Sequence, residues 1–310
     1  MPVFKIQHIT KYEYDRMVKE SINEMRILPY HCPEQEVLQQ NLNITGNPPV
    51  HTFLDYWGNN TGSFSLISPH RELVIENRLM VRTVNPPEIT MNYETGFDQL
   101  NEEVGTHLHM IELARPDLIE ERHAIRKIVS EVHDPKKSIA SIVEASCHYI
   151  FENFQYIKGI TTTETTVDEI LELRSGVCQD FAHVLLQILR TMGIPSRYVS
   201  GYICPNKNGM RGEGATHAWV EAWIPGYGWG GTDPTNDVWV TNKHVKLAVG
   251  RNFNDCTPMK GTFKGQAIQK LSVYVSVGYE DGKIFEELNK VQLERNQENE
   301  PSMNEHPQQQ

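Results

Sequence analysis

Several features are scarce or missing in this chain of 310 residues, and each absence removes a class of protein. No apolar run approaches the roughly 18 residues of a membrane-spanning helix. The opening Met-Pro-Val-Phe-Lys-Ile lacks the charged-then-apolar pattern of a signal peptide. No membrane partner is expected. Cysteine is sparse: Cys32, Cys147, Cys178, Cys204 and Cys256 are odd in number, scattered, and form no CxxC pair. A disulfide framework or structural zinc site is therefore disfavoured, and a reducing, cytoplasmic compartment fits best. Neither GxxxxGK[ST] nor GxGxxG occurs, so no nucleotide cofactor is indicated. Basic residues are outnumbered, with 29 Lys and Arg against 40 Asp and Glu, a formal charge of −11. A nucleic-acid partner would need a basic stripe to displace counterions. From Glu280 onward eight acidic and three basic residues give a net −5, so the tail carries almost half the excess.

What is present suits a globular α+β protein. Apolar residues make up 39% of the chain, enough for a real core, and the length allows about two domains. Residues 1–85 read as a β domain. Val3 to Tyr14 and Leu79 to Val84 have strand character, and Asp55-Tyr56-Trp57-Gly58-Asn59-Asn60 reads as a turn. Asn85-Pro86-Pro87 is a plausible boundary. Residues 86–280 read as a helical segment followed by a second unit. Helical spacing runs from Gly96 to Asn153, with breaks at Ala114-Arg115-Pro116-Asp117 and Asp134-Pro135. A helix then starts at Cys178, with the apolar stripe Phe181, Val184, Leu185, Ile188, Leu189 and Met192, and ends at Gly193 and Pro195. Strands follow at 196–203, 216–224, 229–233 and 271–279. Residues 281–310 read as an acidic polar tail, mobile at its Pro/Asn/Gln-rich end.

Cys178 stands at a predicted helix start, where unpaired N–H groups favour a thiolate and its own N–H can help hold an oxyanion. The glycine before it, Gly176, would let a substrate backbone come close. Taken alone, Cys178 is also an acceptable small core residue. His217 begins a strand with Thr216, Ala218, Val220, Ala222 and Ile224 on one face and His217, Trp219, Glu221 and Trp223 on the other. It can take a proton from a thiol, or be merely structural. Asp233, on a face with Trp229 and Gly231, can fix the tautomer of His217, or simply mark an Asp-Pro turn. Each is weak alone. The ordered set, a cysteine at a helix start, a histidine 39 residues on and an aspartate 16 further, is much more specific.

Gly176-Val177-Cys178-Gln179-Asp180-Phe181-Ala182-His183, Met192 to Tyr202, Thr216-His217-Ala218-Trp219-Val220-Glu221 and Trp229 to Asn236, with Thr161-Thr162 and Thr165-Thr166 ahead of them, resemble the core of bacterial transglutaminase-like proteins, candidate cysteine proteases. Ile9 to Tyr14, Asn23, Arg26-Ile27-Leu28-Pro29 and Asp55 to Asn59 resemble that family's N-terminal β domain. Gly250-Arg251-Asn252-Phe253 to Lys264-Gly265 resembles the segment after the core, with Asn252 where the family usually has Asp. The likeness covers about residues 1–280. It implies an N-terminal β-sandwich-like domain, then a papain-like core with a catalytic helix packed on an antiparallel sheet. It also implies Cys178 as nucleophile, His217 as base then acid, and Asp233 orienting His217.

The expected chemistry is acyl transfer on a peptide or protein amide through a thioester. Hydrolysis is favoured, transamidation is the alternative, and a non-catalytic peptide-binding module on the same fold is the rival from another class. Gln179 and Tyr156 are candidates for a second oxyanion donor, and Trp219 and Trp223 for the walls of a substrate cleft. Asp180 is expected to satisfy amides of its helix start, and His183, about 140° round the helix from Cys178, to be structural. His107 and His109, near Glu102 and Glu103, diverge on a helix, so no metal site is expected.

Overall fold

The computed structural model describes residues 1–84, 91–105, 107–204, 211 and 216–280, with the backbone of one strand at 291–294. The boundary expected at Asn85-Pro86-Pro87 and most of the acidic tail lie outside the described residues. The N-terminal region forms β1 (Val3–Val18), β2 (Glu20–Met25), β3 (Gln35–Ile44), β4 (His51–Leu54), β5 (Asn60–Leu66) and β6 (His70–Thr83). Alternation drives these strands. Along β1, Phe4, Ile6, His8, Thr10, Tyr12 and Tyr14 are buried and the residues between them are not, the signature of a strand with one covered face. Between β4 and β5 the chain turns as expected. Gly58 takes φ +79°, and the Asp55 carboxylate accepts from the amides of Trp57 and Asn59, both at 2.9 Å.

Four helices follow: α1 (Phe97–Val104), α2 (Leu108–Ala114), α3 (Arg122–Val132) and α4 (Ile139–Asn153). Ser138 caps α4, its hydroxyl accepting from Ser141 N–H at 3.2 Å. Next come β7 (Gln155–Tyr156), α5 (Val167–Leu173), β8 (Ser175–Gly176) and α6 (Cys178–Thr191). Strands β9 (Ser196–Ile203), β10 (Thr216–Ile224), β11 (Gly228–Asp233), β12 (Val238–Trp239) and β13 (His244–Gly250) complete the core. The chain ends in α7 (Phe253–Cys256), β14 (Met259–Lys264), β15 (Gln269–Tyr279) and β16 (Val291–Glu294).

The result is a mixed α+β fold of mainly antiparallel sheets. The core sheet runs β12-β11-β10-β9-β13, and the two N-terminal sheets run β16-β15-β1-β6-β3 and β14-β2-β5-β4. Residues 259–279, grouped by sequence with the core, are hydrogen-bonded into the N-terminal sheets: β15 along β1, and β14 along β2. The two N-terminal sheets share one apolar core, with Phe4, Ile75 and Val277 from one and Met25, Phe64 and Met259 from the other. Tyr202 and Val245 of the core sheet enter the same cluster, so the two halves of the molecule pack directly together.

Helix α6 lies on one face of the core sheet. Its Phe181, Val184, Leu185, Ile188 and Leu189 share a cluster with Ala218, Val220, Ala222 and Ile224 of β10. Gly193 ends the helix at φ +77°, and Ile194 N–H closes the last turn on the Leu189 carbonyl at 3.0 Å. The opposite sheet face is polar but also covered. There Glu221 is buried and takes Arg197 at 2.6 Å together with Lys246. Arg197 also lies 4.3 Å over the Trp229 ring. Removing one member of such a buried set leaves uncompensated charge. Glu221→Gln is therefore expected to lower stability by about 3 kcal/mol in urea unfolding; a loss below about 0.5 kcal/mol would place this set among weak surface pairs.

Candidate active site

Cys178 is the first residue of α6 and almost fully buried. The helix's own ladder begins with Phe181 N–H on the Val177 carbonyl at 3.1 Å, so the Cys178 and Gln179 amides belong to the unladdered first turn. Asp180 reaches back, as expected for a helix start. Its Oδ2 accepts from Val177 N–H at 2.8 Å and from the Thr161 hydroxyl at 2.6 Å. This explains Gly176 differently from the sequence reading. A Cβ there would lie 2.5 Å from Asp180 Oδ2, so the glycine makes room for that carboxylate.

His217 and Asp233 are both completely buried, and Nε2–H of His217 donates to Oδ2 of Asp233 at 2.7 Å. Strand pairing brings them together, because β10 and β11 run antiparallel with Val220 opposite Thr232. The carboxylate is held from other sides too. Asn236 Nδ2 donates to Oδ2 at 2.7 Å, and Thr235 N–H donates to Oδ1 at 2.9 Å. His244 of β13 brings Nε2 to 3.5 Å from Oδ2. Its Nδ1 accepts from Thr241 N–H at 3.4 Å, which leaves the proton of the neutral ring on Nε2, facing the carboxylate. The donor atoms of His217, Asp233 and His244 lie within 4.8 Å of one another. That spacing would suit a metal, but Oδ2 already accepts from His217 and Asn236.

The electrostatics follow from this packing. Burial alone would raise the Asp233 pKa, but the His217 charge and hydrogen bond, with His244 beside them, hold it far below the usual carboxylate range. Burial alone would lower that of His217, yet Asp233 and Cys178 raise it to about 10. Cys178 acts on the ring by charge and by hydrogen bond. Since Nε2 is committed to Asp233, Nδ1, which has no hydrogen-bond partner among the described residues, is the ring atom left for the thiol. Burial lowers the His244 pKa, with the His217 charge adding to it against the pull of Asp233. The site therefore holds an imidazolium and a carboxylate, with a neutral histidine behind them.

Comparison with known proteins identifies the family of the chain. Residues 123–234 match the transglutaminase-like superfamily core, and residues 4–82 match the bacterial transglutaminase-like N-terminal region. An uncharacterised protein of Mycobacterium leprae is 31% identical over 281 residues, covering 88% of this chain and 97% of its own. The chain belongs to the transglutaminase-like superfamily. A second relative within it is a Pseudomonas aeruginosa protein-glutamine gamma-glutamyltransferase, 36% identical over 111 residues, which are 34% of this chain and 16% of that protein. A solved structure from Cytophaga hutchinsonii, described as a cysteine protease candidate, shares the fold with TM-score 0.70 at 21% identity, covering 94% of this chain and 96% of that one.

The remaining expected residues are placed as follows. The Tyr156 phenol is near enough to Cys178 and Asp233 for their charges to raise its pKa, although burial is the larger cause. Gln179 is buried, and its Oε1 has no partner. Trp219 is fully buried beside Val199 and Val249 and borders a cavity of about 70 Å³ with Cys32, His244 and Lys246, so it does not wall an open cleft. Trp223 is tied by its Nε1–H to Glu103 at 2.6 Å and meets Trp229 edge-on at 5.4 Å. Glu103 is thus used structurally, and His109 packs against Trp57 with ring centres 5.1 Å apart. His183 accepts from Phe253 N–H at 3.2 Å, and burial lowers its pKa to about 4. Asn252 accepts from Asn254 N–H at 2.9 Å, the capping service an aspartate would give. All five cysteines are free thiols, and no described helix is long and apolar enough to cross a membrane. Sequence reasoning missed Asn236 and His244. Asn236 sat inside the matched motif without a role, and His244 offered no local signal.

A raised His217 pKa keeps the imidazolium through neutral pH and releases its proton only as pH rises through about 10. In Asp233→Asn the burial effect is no longer outweighed, so the proton is lost at lower pH. The rate at which iodoacetamide alkylates Cys178, followed by peptide mapping, reads the charge on the neighbouring ring. In the variant it should be at least about tenfold slower at pH 7, since one pKa unit is a factor of ten. Superimposable profiles would remove Asp233 from control of the histidine.

Proposed function

We propose that this protein is a cysteine-dependent enzyme that cleaves a peptide or protein amide through a thioester acyl-enzyme. The observation that carries this reading is the buried His217–Asp233 pair with its free nitrogen on the side of Cys178. The Cys178 thiolate attacks the amide carbonyl carbon, a C–S bond forms, and the π pair moves onto oxygen. The first-turn amide of Cys178 donates to that oxyanion. Tyr156 is the better of the two expected second donors, because burial keeps its phenol protonated. The oxyanion collapses, the C–N bond breaks, and the leaving amine takes the proton from His217. Water then gives a proton to His217 and attacks the thioester, releasing a carboxylic acid and the thiolate. Asp233 does not accept the proton; it fixes the ring and favours its charged form.

A primary amine in place of water would make the second half-reaction a transamidation, and the likeness to the Pseudomonas aeruginosa transferase favours this second reading. A screen of peptides with and without added amines, read by mass, separates the two. Cleavage of a peptide bond gives two fragments that together gain 18 Da, whereas transfer to an added amine raises the mass of the acyl product by that of the amine less the 17 Da of the departing ammonia. Cys178→Ala and His217→Ala should each abolish turnover, by at least about 10³-fold, while leaving the folded state intact. Turnover unchanged in Cys178→Ala would remove Cys178 as the nucleophile, whereas a parent protein that binds peptides without turning them over would leave only a peptide-binding role.

A further inference from the structure

We propose that Arg211 binds a carboxylate of the substrate, so that the site selects amides carrying an acid group close to the bond that is cut; this rests on the reading of Cys178 as the nucleophile. The Arg211 guanidinium lies 4.6 Å over the ring of Phe151 in α4 and is half-buried. Its Nη1 is shielded from solvent and has no hydrogen-bond partner among the described residues. Other well-packed arginines each meet an acid: Arg26 has Asp55, Arg190 and Arg251 share Asp117, and Arg197 has Glu221. No such pair involves Arg211 among the described residues. A shielded N–H without an acceptor is costly, and a carboxylate is the group whose two oxygens match the planar fork of a guanidinium.

Main-chain hydrogen bonds tie Arg211 to the proposed catalytic constellation. Arg211 N–H donates to Asn236 Oδ1 at 2.7 Å, and Asn236 Nδ2 donates back to the Arg211 carbonyl at 3.2 Å. The same Nδ2 donates to Asp233 Oδ2 at 2.7 Å, so one amide side chain joins Arg211 to the carboxylate behind His217. On the other side, Tyr156 lies within the field of both Cys178 and Arg211. The acids nearest this phenol are already engaged. Asp233 accepts from His217, Thr235 and Asn236, and Asp180 accepts from Thr161 and Val177. The cation therefore remains available for an incoming acid.

Iodoacetate and iodoacetamide test this without knowledge of the substrate. They have similar size and the same leaving group, and differ by one negative charge. With each, Cys178 Sγ bonds to the CH₂ carbon as the C–I bond breaks and iodide departs. On the full chain, the iodoacetate-to-iodoacetamide rate ratio at Cys178 should fall about fivefold in Arg211→Gln and be largely kept in Arg211→Lys. Should Arg211→Gln fail to fold, the parent protein carries the test: its ratio should fall as salt rises, and a salt-independent ratio overturns the proposal. An unchanged ratio in folded Arg211→Gln, with iodoacetamide still fast, also overturns it and leaves Cys178 an activated nucleophile. If iodoacetamide labels Cys178 no faster than the other four thiols of the parent protein, the proposed function itself fails. Peptides with Glu or Gln beside the bond, and with free or amidated C-termini, then identify whether a side chain or a terminus supplies the acid; equal cleavage of all four overturns carboxylate selection.

Discussion

Asp233 is a carboxylate with no exposure to water, and it can stay ionised there only if the protein supplies every partner that water would have supplied. Much of the core is arranged to do so. Strand β10 delivers His217, the turn after β11 delivers Thr235 and Asn236, and β13 delivers His244 from across the sheet. The return is electrostatic. A fixed negative charge behind the imidazole keeps the ring protonated, and a protonated ring stabilises a neighbouring thiolate. Helix α6 adds the positive end of its dipole from the other direction. The proposed nucleophile and its proton carrier thus depend on one buried charge.

That arrangement requires a rigid sheet covered on both faces. Helix α6 seals one face with an apolar layer, and the Arg197–Glu221–Lys246 set lies within the other. Every residue of β9 is buried, as expected for a central strand with cover on both sides. Gly201, opposite His217 in the ladder, has no room for a side chain. A Cβ there would lie 2.2 Å from the Val245 carbonyl and 2.5 Å from the Trp219 ring. The missing Cβ at this point leaves room for the Trp219 ring, which meets His244 edge-on at 5.2 Å.

The parts of this architecture that leave a local trace were legible in the sequence. The apolar stripe of α6, its glycine stop, and the alternation of β1 and β10 each follow from a short-range period. The helix start at Cys178 and the strand positions of His217 and Asp233 came from the same periods, and their proximity followed from antiparallel neighbours. Contacts without a local period were not legible. His244 meets Asp233 only because β13 crosses back to pair with β9. Strands β14 and β15 pair with partners some 240 to 270 residues earlier, which no composition shift announces. For Trp219 a cleft wall and core packing stayed open, because strand periodicity gives its face but not what covers that face; the ring is fully buried.

The pairing of β15 with β1 bears on how the molecule is made. Strand β1 lies between β15 and β6 in its sheet, and one of its two hydrogen-bonding edges stays open during synthesis until residues 269–279 have left the ribosome. The sequence between them, including the whole candidate active site, emerges first. A nascent chain with its cysteine, histidine and aspartate already translated thus still presents an unpaired strand edge, the kind of surface that chaperones bind and that stray β-segments capture. Pairing of β15 along β1 is the step that ends that exposure, so this sheet closes only after the whole candidate active site has been translated.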